Sequence, residues 1–464
     1  MKIWRYQKWL DFWNKLTSGS TNRQIFGAAV TVGIGTGLVK VASVGKELVV
    51  AWKFGTAGDL DAFLIALVVP FLITNVIASS FNAALIPTYI RVREQSGIKA
   101  AQKLFSGAIA WSLGLLGITT VLMLATAPLY LPKMAAGFSA EKLDLTYKLL
   151  CAIAPIIVLT GMMTIWGAVL NAGEQFALVA VAPIITPVIT MLFLFGINSW
   201  GVFSLASGLV CGQLLEMLVV GIVLRRQGIS LLPKWYGFDT HLSEVAGQYA
   251  PMIAAAFLMC STGLVDQSMA AMLPSGSVAS LNYGNRIISL PITITSTALS
   301  TAVIPYFSKM VAREDWTTLR HTLKQYLGLI FAFSIPLAGL IILFSEPIVQ
   351  LLLQRGSFTA NDTHLVAQIQ ACYALQIPFY IAGMLVVRLI SAMRNNQILM
   401  WGSGGNLIVN IGLNYLFMKW LGVPGIALST SGVYLFSFSF LFCVAIQKLK
   451  LTERNVAKPR SSDI

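Results

Sequence analysis

Charged residues recur at helical spacing inside a stretch apolar enough to cross a bilayer, and that combination is suited to handling a polar solute within a membrane. Over residues 26–52, Gly33, Thr36, Lys40, Ser43 and Glu47 follow at alternating steps of three and four, which places them on one face of an α-helix with Lys46 beside them. A charge near the bilayer centre costs roughly 2.5–3.5 kcal/mol on insertion scales, so it faces protein or a wet cavity rather than lipid. Lys40 lies about 20 Å from the start of this stretch at helical rise. It reads as a cavity residue for something anionic. Lys46 and Glu47, nearer the far end, read either as cavity residues or as side chains snorkelling to the interface.

Similar polar stripes occur elsewhere in the chain. Asn75, Ser79 and Asn82 are spaced by four and three, and Asn282, Arg286, Ser289, Thr293, Ser296 and Ser300 alternate four and three. Thr262 and Asp266 stand at i,i+4, Arg388 sits inside another apolar stretch, and Asp61 stands at the mouth of the second. The apolar stretches enclose more cations (Lys40, Lys46, Arg286, Arg388) than anions (Glu47, Glu216, Asp266). A phosphate or pyrophosphate suits such a surplus, since an Arg fork and a Lys point charge are its usual partners. The candidate substrate-binding residues are therefore Lys40, Lys46, Arg286, Arg388, Asn75 and Asn282, and the candidate gating or ion-coupling residues are Glu47, Asp61 and Asp266. Asp266 fits either a coupling cation or the neutralisation of a nearby Arg, whereas Glu216, with no polar stripe, reads as a packed and paired carboxyl.

Catalytic patterns are missing from the sequence. There is no GxxxxGK[ST] loop to cradle nucleotide phosphates, His241, His321 and His364 lack metal-ligand spacing, and no Ser or Cys has a His and a carboxylate nearby in sequence. No enzymatic activity, cofactor or metal site is expected.

The elements that must position these residues are membrane helices. Of the 464 residues 56% are hydrophobic and only 11% charged, with a mean hydropathy of +0.76, which is the composition of an all-α polytopic membrane protein. Twelve spans are expected, at approximately 26–51, 62–90, 104–126, 147–170, 177–197, 201–224, 246–270, 279–306, 323–345, 364–392, 398–418 and 423–446. The net charge of +14 would suggest nucleic acid in a soluble protein. Here most basic residues fall in short loops on one side, among them Arg91, Arg93, Lys99, Lys103, Lys309, Arg313 and Arg320, so both termini are expected in the cytoplasm and no nucleic-acid partner is expected. Cys151, Cys211, Cys260, Cys372 and Cys443 lie in apolar segments without CxxC spacing and read as small packing residues. The first residues show no cleavable signal, so the first span is expected to act as its own targeting signal.

The organisation expected is an interfacial amphipathic segment (1–24), a first six-helix lobe (25–226), a cytoplasmic linker (227–245), a second six-helix lobe (246–447) and a basic tail (448–464). The lobes are expected to be an internal repeat. Ala84-Leu85-Ile86-Pro87 matches Ala302-Val303-Ile304-Pro305, Pro155 answers Pro378, and Gly201-Val202 answers Gly422-Val423, all at nearly one offset. Six spans per half make the repeats parallel, about an axis along the membrane normal, with the binding site expected in a central cavity.

Several local motifs then resemble a known family. Phe54-Gly55 followed by Asp61-Ala62-Phe63, the Ala-x-Ile-Pro endings, Gly276-Ser277-Val278 before Asn282-Tyr283-Gly284-Asn285-Arg286, and Gln354 to Asp362 (QRGSFTAND) resemble the MurJ/MviN family of the multidrug/oligosaccharidyl-lipid/polysaccharide exporter superfamily. In the last motif Thr359 can cap a helix whose first turn holds Asp362. The resemblance implies a flippase that moves an undecaprenyl-pyrophosphate-linked sugar precursor across the bacterial inner membrane by alternating access, with membrane lipids and the cell-envelope glycan machinery as its surroundings. It also implies that the family's first-span arginines fall on Lys40 and Lys46, its second-span aspartate on Asp61 and its eighth-span arginine on Arg286. The resemblance implies that an arginine pair in the family's second span falls here on Thr74 and Asn75, and of the family's two further C-terminal helices none is expected among these twelve spans. These departures favour an exopolysaccharide or capsule repeat unit, with a shortened lipid II flippase left open as the other cargo reading. The other class weighed is a multidrug or organic-cation antiporter of the same superfamily, which would need an acidic cavity.

Overall fold

The computed structural model describes residues 21–172, 176–226, 237, 240–393 and 395–457, and among them there is no strand. The expected interfacial segment lies largely outside the described residues, as do most of the linker, the end of the tail, and the side chains of Ser79, Asn82, Ser296 and Ser300. The helices are α1 (Thr21–Phe54), α2 (Gly58–Ile73), α3 (Ser79–Met134), α4 (Ala140–Ile153), α5 (Pro155–Ala172), α6 (Phe176–Val181), α7 (Ile185–Gly196) and α8 (Phe203–Arg226). They continue with α9 (Thr240–Ala270), α10 (Ser277–Ala312), α11 (Trp316–Leu343), α12 (Ser345–Leu353), α13 (Ala360–Ala374), α14 (Gln376–Ala392), α15 (Asn396–Leu421) and α16 (Val423–Ala457).

Every expected span falls on helix, but the breaks are placed differently. Residues 91–103, expected as a loop, continue the helical path of α3 and depart from helical geometry at Gly97 (φ 82°). Good helix formers on both sides of this glycine explain the continuity. Nine helical segments among the described residues are long and apolar enough to cross a membrane. The expected spans 26–51, 279–306 and 398–418 are helical in α1, α10 and α15 without being among the nine. These helices also carry Lys40, Lys46 and Glu47, then Asn282 and Arg286, then Asn406, Asn410 and Asn414.

The two sequence halves share local backbone features. Gly201 before α8 (φ 51°, ψ −130°) and Gly422 before α16 (φ 64°, ψ −133°) adopt the same left-handed conformation, which glycine reaches without a Cβ penalty. The helix break before Pro155 is matched by the break at Leu375, between α13 and α14.

The chain gathers into two compact units. The first consists of residues 1–50, 66–130 and 144–254. In it α7 and α8 pack through small residues: a Cβ on Gly208 would lie 2.8 Å from the Thr190 Cα, and one on Gly212 would lie 2.8 Å from the Thr186 Cα. Four residues on, Glu216 accepts a 2.7 Å hydrogen bond from the Thr186 hydroxyl, so close approach of the backbones brings a polar pair into register. The Thr160 hydroxyl donates to Gln213 at 2.8 Å and ties α5 to the same helix.

The second unit consists of residues 51–65, 131–143 and 255–464. Its core joins Val303 and Phe307 of α10, Leu319, Leu323 and Leu327 of α11, Leu385 and Leu389 of α14, and Leu441 and Leu449 of α16. The steps of four and eight keep one face of each helix inward. Asp315 caps α11 by accepting the Thr318 N–H at 3.1 Å, and its hydrogen bonds with Thr318 hold the carboxyl below the usual range. Thr359 caps α13 in a reciprocal box, its hydroxyl accepting the Asp362 N–H while Asp362 accepts the Thr359 N–H at 2.7 Å.

Candidate functional site

The cations singled out from sequence sit within long helices. Lys40 on α1 and Arg286 on α10 are exposed, and a cation at such a position in a bilayer faces water or an anion rather than lipid. Lys46 and Glu47 are half-buried neighbours whose Nζ and Oε1 pair at 3.0 Å, so part of the Lys46 charge is already compensated. Asn75 is exposed and lies in a π-helical turn, Thr74–Ala78, that follows Pro70. Pro70 lacks the N–H that an α-helix needs, the Thr74 hydroxyl bonds the Pro70 carbonyl at 2.8 Å, and Tyr249 donates to the Ile77 carbonyl at 2.9 Å. Asn282, half-buried, uses its amide N–H groups on the Val278 carbonyl (2.9 Å) and the Gln267 side chain (3.0 Å), which ties α9 to α10.

Asp61 is buried at 1% exposure. Its Oδ2 accepts the Gly276 N–H at 2.6 Å and the Lys142 ammonium at 3.0 Å, and its Oδ1 accepts the Ala279 N–H at 2.8 Å. The carboxylate thus caps the N-terminus of α10, where the helix dipole favours negative charge. The turn leading to it is seated tightly. Gly55 (φ 54°) leaves no room for a Cβ beside the Ser357 carbonyl, its own carbonyl accepts the Tyr283 hydroxyl at 3.1 Å, and the Thr56 hydroxyl donates to Asp362.

Asp266 makes no ion pair among the described residues. Instead Oδ1 accepts amide N–H groups of Asn410 (2.9 Å) and Asn414 (2.7 Å), and Oδ2 accepts the Thr430 hydroxyl (3.2 Å). Asn410 and Asn414 are fully buried, and among the described residues the Asn414 Oδ1 has no hydrogen-bond partner. Asp266 and Arg388 line one cavity of about 410 Å³, together with Asn406, Asn410, Thr430 and Tyr434. Among the described residues no cluster of three or more His, Cys, Asp or Glu could hold a metal ion.

Sequence reasoning passed over Asn410, Asn414 and Lys142. The asparagines carried a signal, since Asn406, Asn410 and Asn414 recur at steps of four on one helix face. Lys142 carried none, because in sequence it is one lysine in a loop.

A family model described as "Lipid II flippase MurJ" matches residues 50–460. A curated relative from Synechocystis sp., described as a probable lipid II flippase MurJ, is 27% identical over 453 residues, covering 93% of this chain and 83% of the relative. A solved structure described as the lipid II flippase MurJ in an inward closed conformation aligns with a TM-score of 0.78 at 24% identity, over 92% of this chain and 90% of that one. A multidrug resistance MATE family transporter of the MOP superfamily, in an inward-facing conformation, aligns with a TM-score of 0.75 at 15% identity, over 93% and 100%. At these identities the two structural likenesses are likenesses of fold. The family match begins at residue 50, after Lys40, Lys46 and Glu47.

Proposed function

The chain belongs to the lipid II flippase MurJ family, and from that premise we propose that it carries an undecaprenyl-pyrophosphate-linked sugar precursor, lipid II, across the bacterial inner membrane by alternating access. A sugar-pyrophosphate head cannot cross hydrocarbon unaided, whereas its polyprenyl tail can stay in lipid. The observation that carries the reading is that Lys40 on α1 and Arg286 on α10 are exposed cations within the expected spans 26–51 and 279–306. Lys46 and Arg388 are further cations, and Asn75 and Asn282 further amides, of the types that bind a pyrophosphate and its sugar. The same basic surplus disfavours an organic cation as cargo. In this reading the termini lie in the cytoplasm, and the protein works beside the cell-envelope glycan machinery.

Asp61 and Glu47 act in gating, and Asp266 in ion coupling. The Asp266 carboxylate and the Thr430 hydroxyl, hydrogen-bonded to each other in one cavity, are hard oxygens of low total charge of the kind a monovalent cation takes. The relative's description as a lipid II flippase supports lipid II as cargo; Thr74 and Asn75, where the resemblance implies an arginine pair, are the feature that favours an exopolysaccharide unit instead.

The test is substitution of the two cations. Lys40→Ala and Arg286→Ala should each abolish transport at normal protein levels in the membrane. Full activity in both would overturn the assignment.

A further inference from the structure

Three stretches of the second unit that are far apart in sequence meet at the ammonium of Lys142. Its own stretch is 131–143, and its Nζ lies 3.0 Å from Asp61 Oδ2 in the stretch 51–65 and 3.2 Å from Ser275 Oγ in the stretch 255–464. It also stands 4.0 Å from the centroid of the Phe138 ring, and its side chain is only 15% exposed. Gly58 makes room for this arrangement: a Cβ there would lie 2.5 Å from Ser275 Oγ and 3.4 Å from Lys142 Nζ. Asp61 receives two backbone N–H groups from the start of α10, which are partial charges, and the Lys142 ammonium adds a full counter-charge that lowers the cost of keeping the carboxylate buried there.

We propose that Lys142 is the positioning residue of a latch: its ammonium sets how firmly Asp61, and with it the turn at Gly55 and the start of α2, stays seated on the N-terminus of α10, and transport requires this seat to release and re-form. The proposal rests on the reading of Asp61 as a gating residue. The contacts of Thr56 with Asp362 and of Tyr283 with Gly55 do not involve Lys142, so neutralising Lys142 loosens the seat without dismantling the unit. Removing Asp61 does more, because it takes the acceptor from two N–H groups at the helix N-terminus and the counter-charge from the ammonium at once.

The experiment is hydrogen exchange on the full-length protein, read at Gly276 and Ala279, whose N–H groups Asp61 holds, with transport measured in parallel in cells. Lys142→Met should speed exchange at both amides about tenfold and lower transport, while Lys142→Arg keeps both close to the parent. Lys142→Gln is the second neutral variant, read against the same expectation if the methionine variant fails to reach the membrane. The proposal is overturned if the neutral variants stay within about twofold of the parent in exchange, or if they exchange faster yet transport at the parent's rate. Asp61→Asn separates the two readings: a change in that variant alone removes Lys142 and leaves Asp61 as the gate, whereas no change there removes the gating reading itself.

Discussion

Single charges inside apolar helices were the features most open to reading from sequence. Lys40 and Arg286 stood out because a membrane helix tolerates a cation only for a reason, and both remain exposed in the folded chain. The guanidinium fork differs from an ammonium in geometry and not in charge, so Lys40→Arg should keep at least half of transport where Lys40→Ala loses it. A flipping assay at matched protein levels decides this. Asp266 was visible as a buried charge, but its partners were not, because Asn410, Asn414 and Thr430 lie more than a hundred residues away and converge only in the fold. If it couples transport to a cation, Asp266→Asn should abolish the response to replacing sodium by a large organic cation and slow transport about tenfold. An unchanged sodium response in that variant would assign Asp266 to packing.

Helices were foreseeable as a class, and their interruptions only in part. The cap at Thr359 followed from residue types, and the structure forms it with Asp362 as the reciprocal partner. The π-helical turn at Thr74–Ala78 was not foreseen, although Pro70 marked the place where an α-helix loses a donor. Turns before helices depend on contacts distant in sequence. Gly55 shows this, with a positive φ and the Ser357 carbonyl occupying the space of its missing Cβ. Gly55→Ala should therefore destabilise the protein by about 1–3 kcal/mol and lower its thermal midpoint in detergent. Gly339→Ala, inside α11 with nothing near the added Cβ, should leave the midpoint unchanged or raise it slightly. Equal midpoints for the parent and the Gly55 variant would mean that the turn is not seated as described.

For the molecule as a whole, composition set the class, because with 56% hydrophobic residues only 11% charged ones are too few to cover the surface of a water-soluble fold. The nearly constant offset between halves reappears in the backbone at Gly201 and Gly422, two glycines in one conformation 221 positions apart by their numbers. The grouping of residues 51–65 and 131–143 with the second half of the chain was out of reach of that repeat, since it depends on contacts such as Asp61 to Gly276 that no local pattern encodes. Cargo identity also lies at this scale, because it depends on the head group the assembled protein accepts. The most direct measurement expresses this chain in a bacterium depleted of its own lipid II flippase and follows growth together with lipid II in the outer leaflet. Restored growth with lipid II exposed at normal protein levels is the predicted result. A correctly inserted protein that restores neither would contradict lipid II as the cargo.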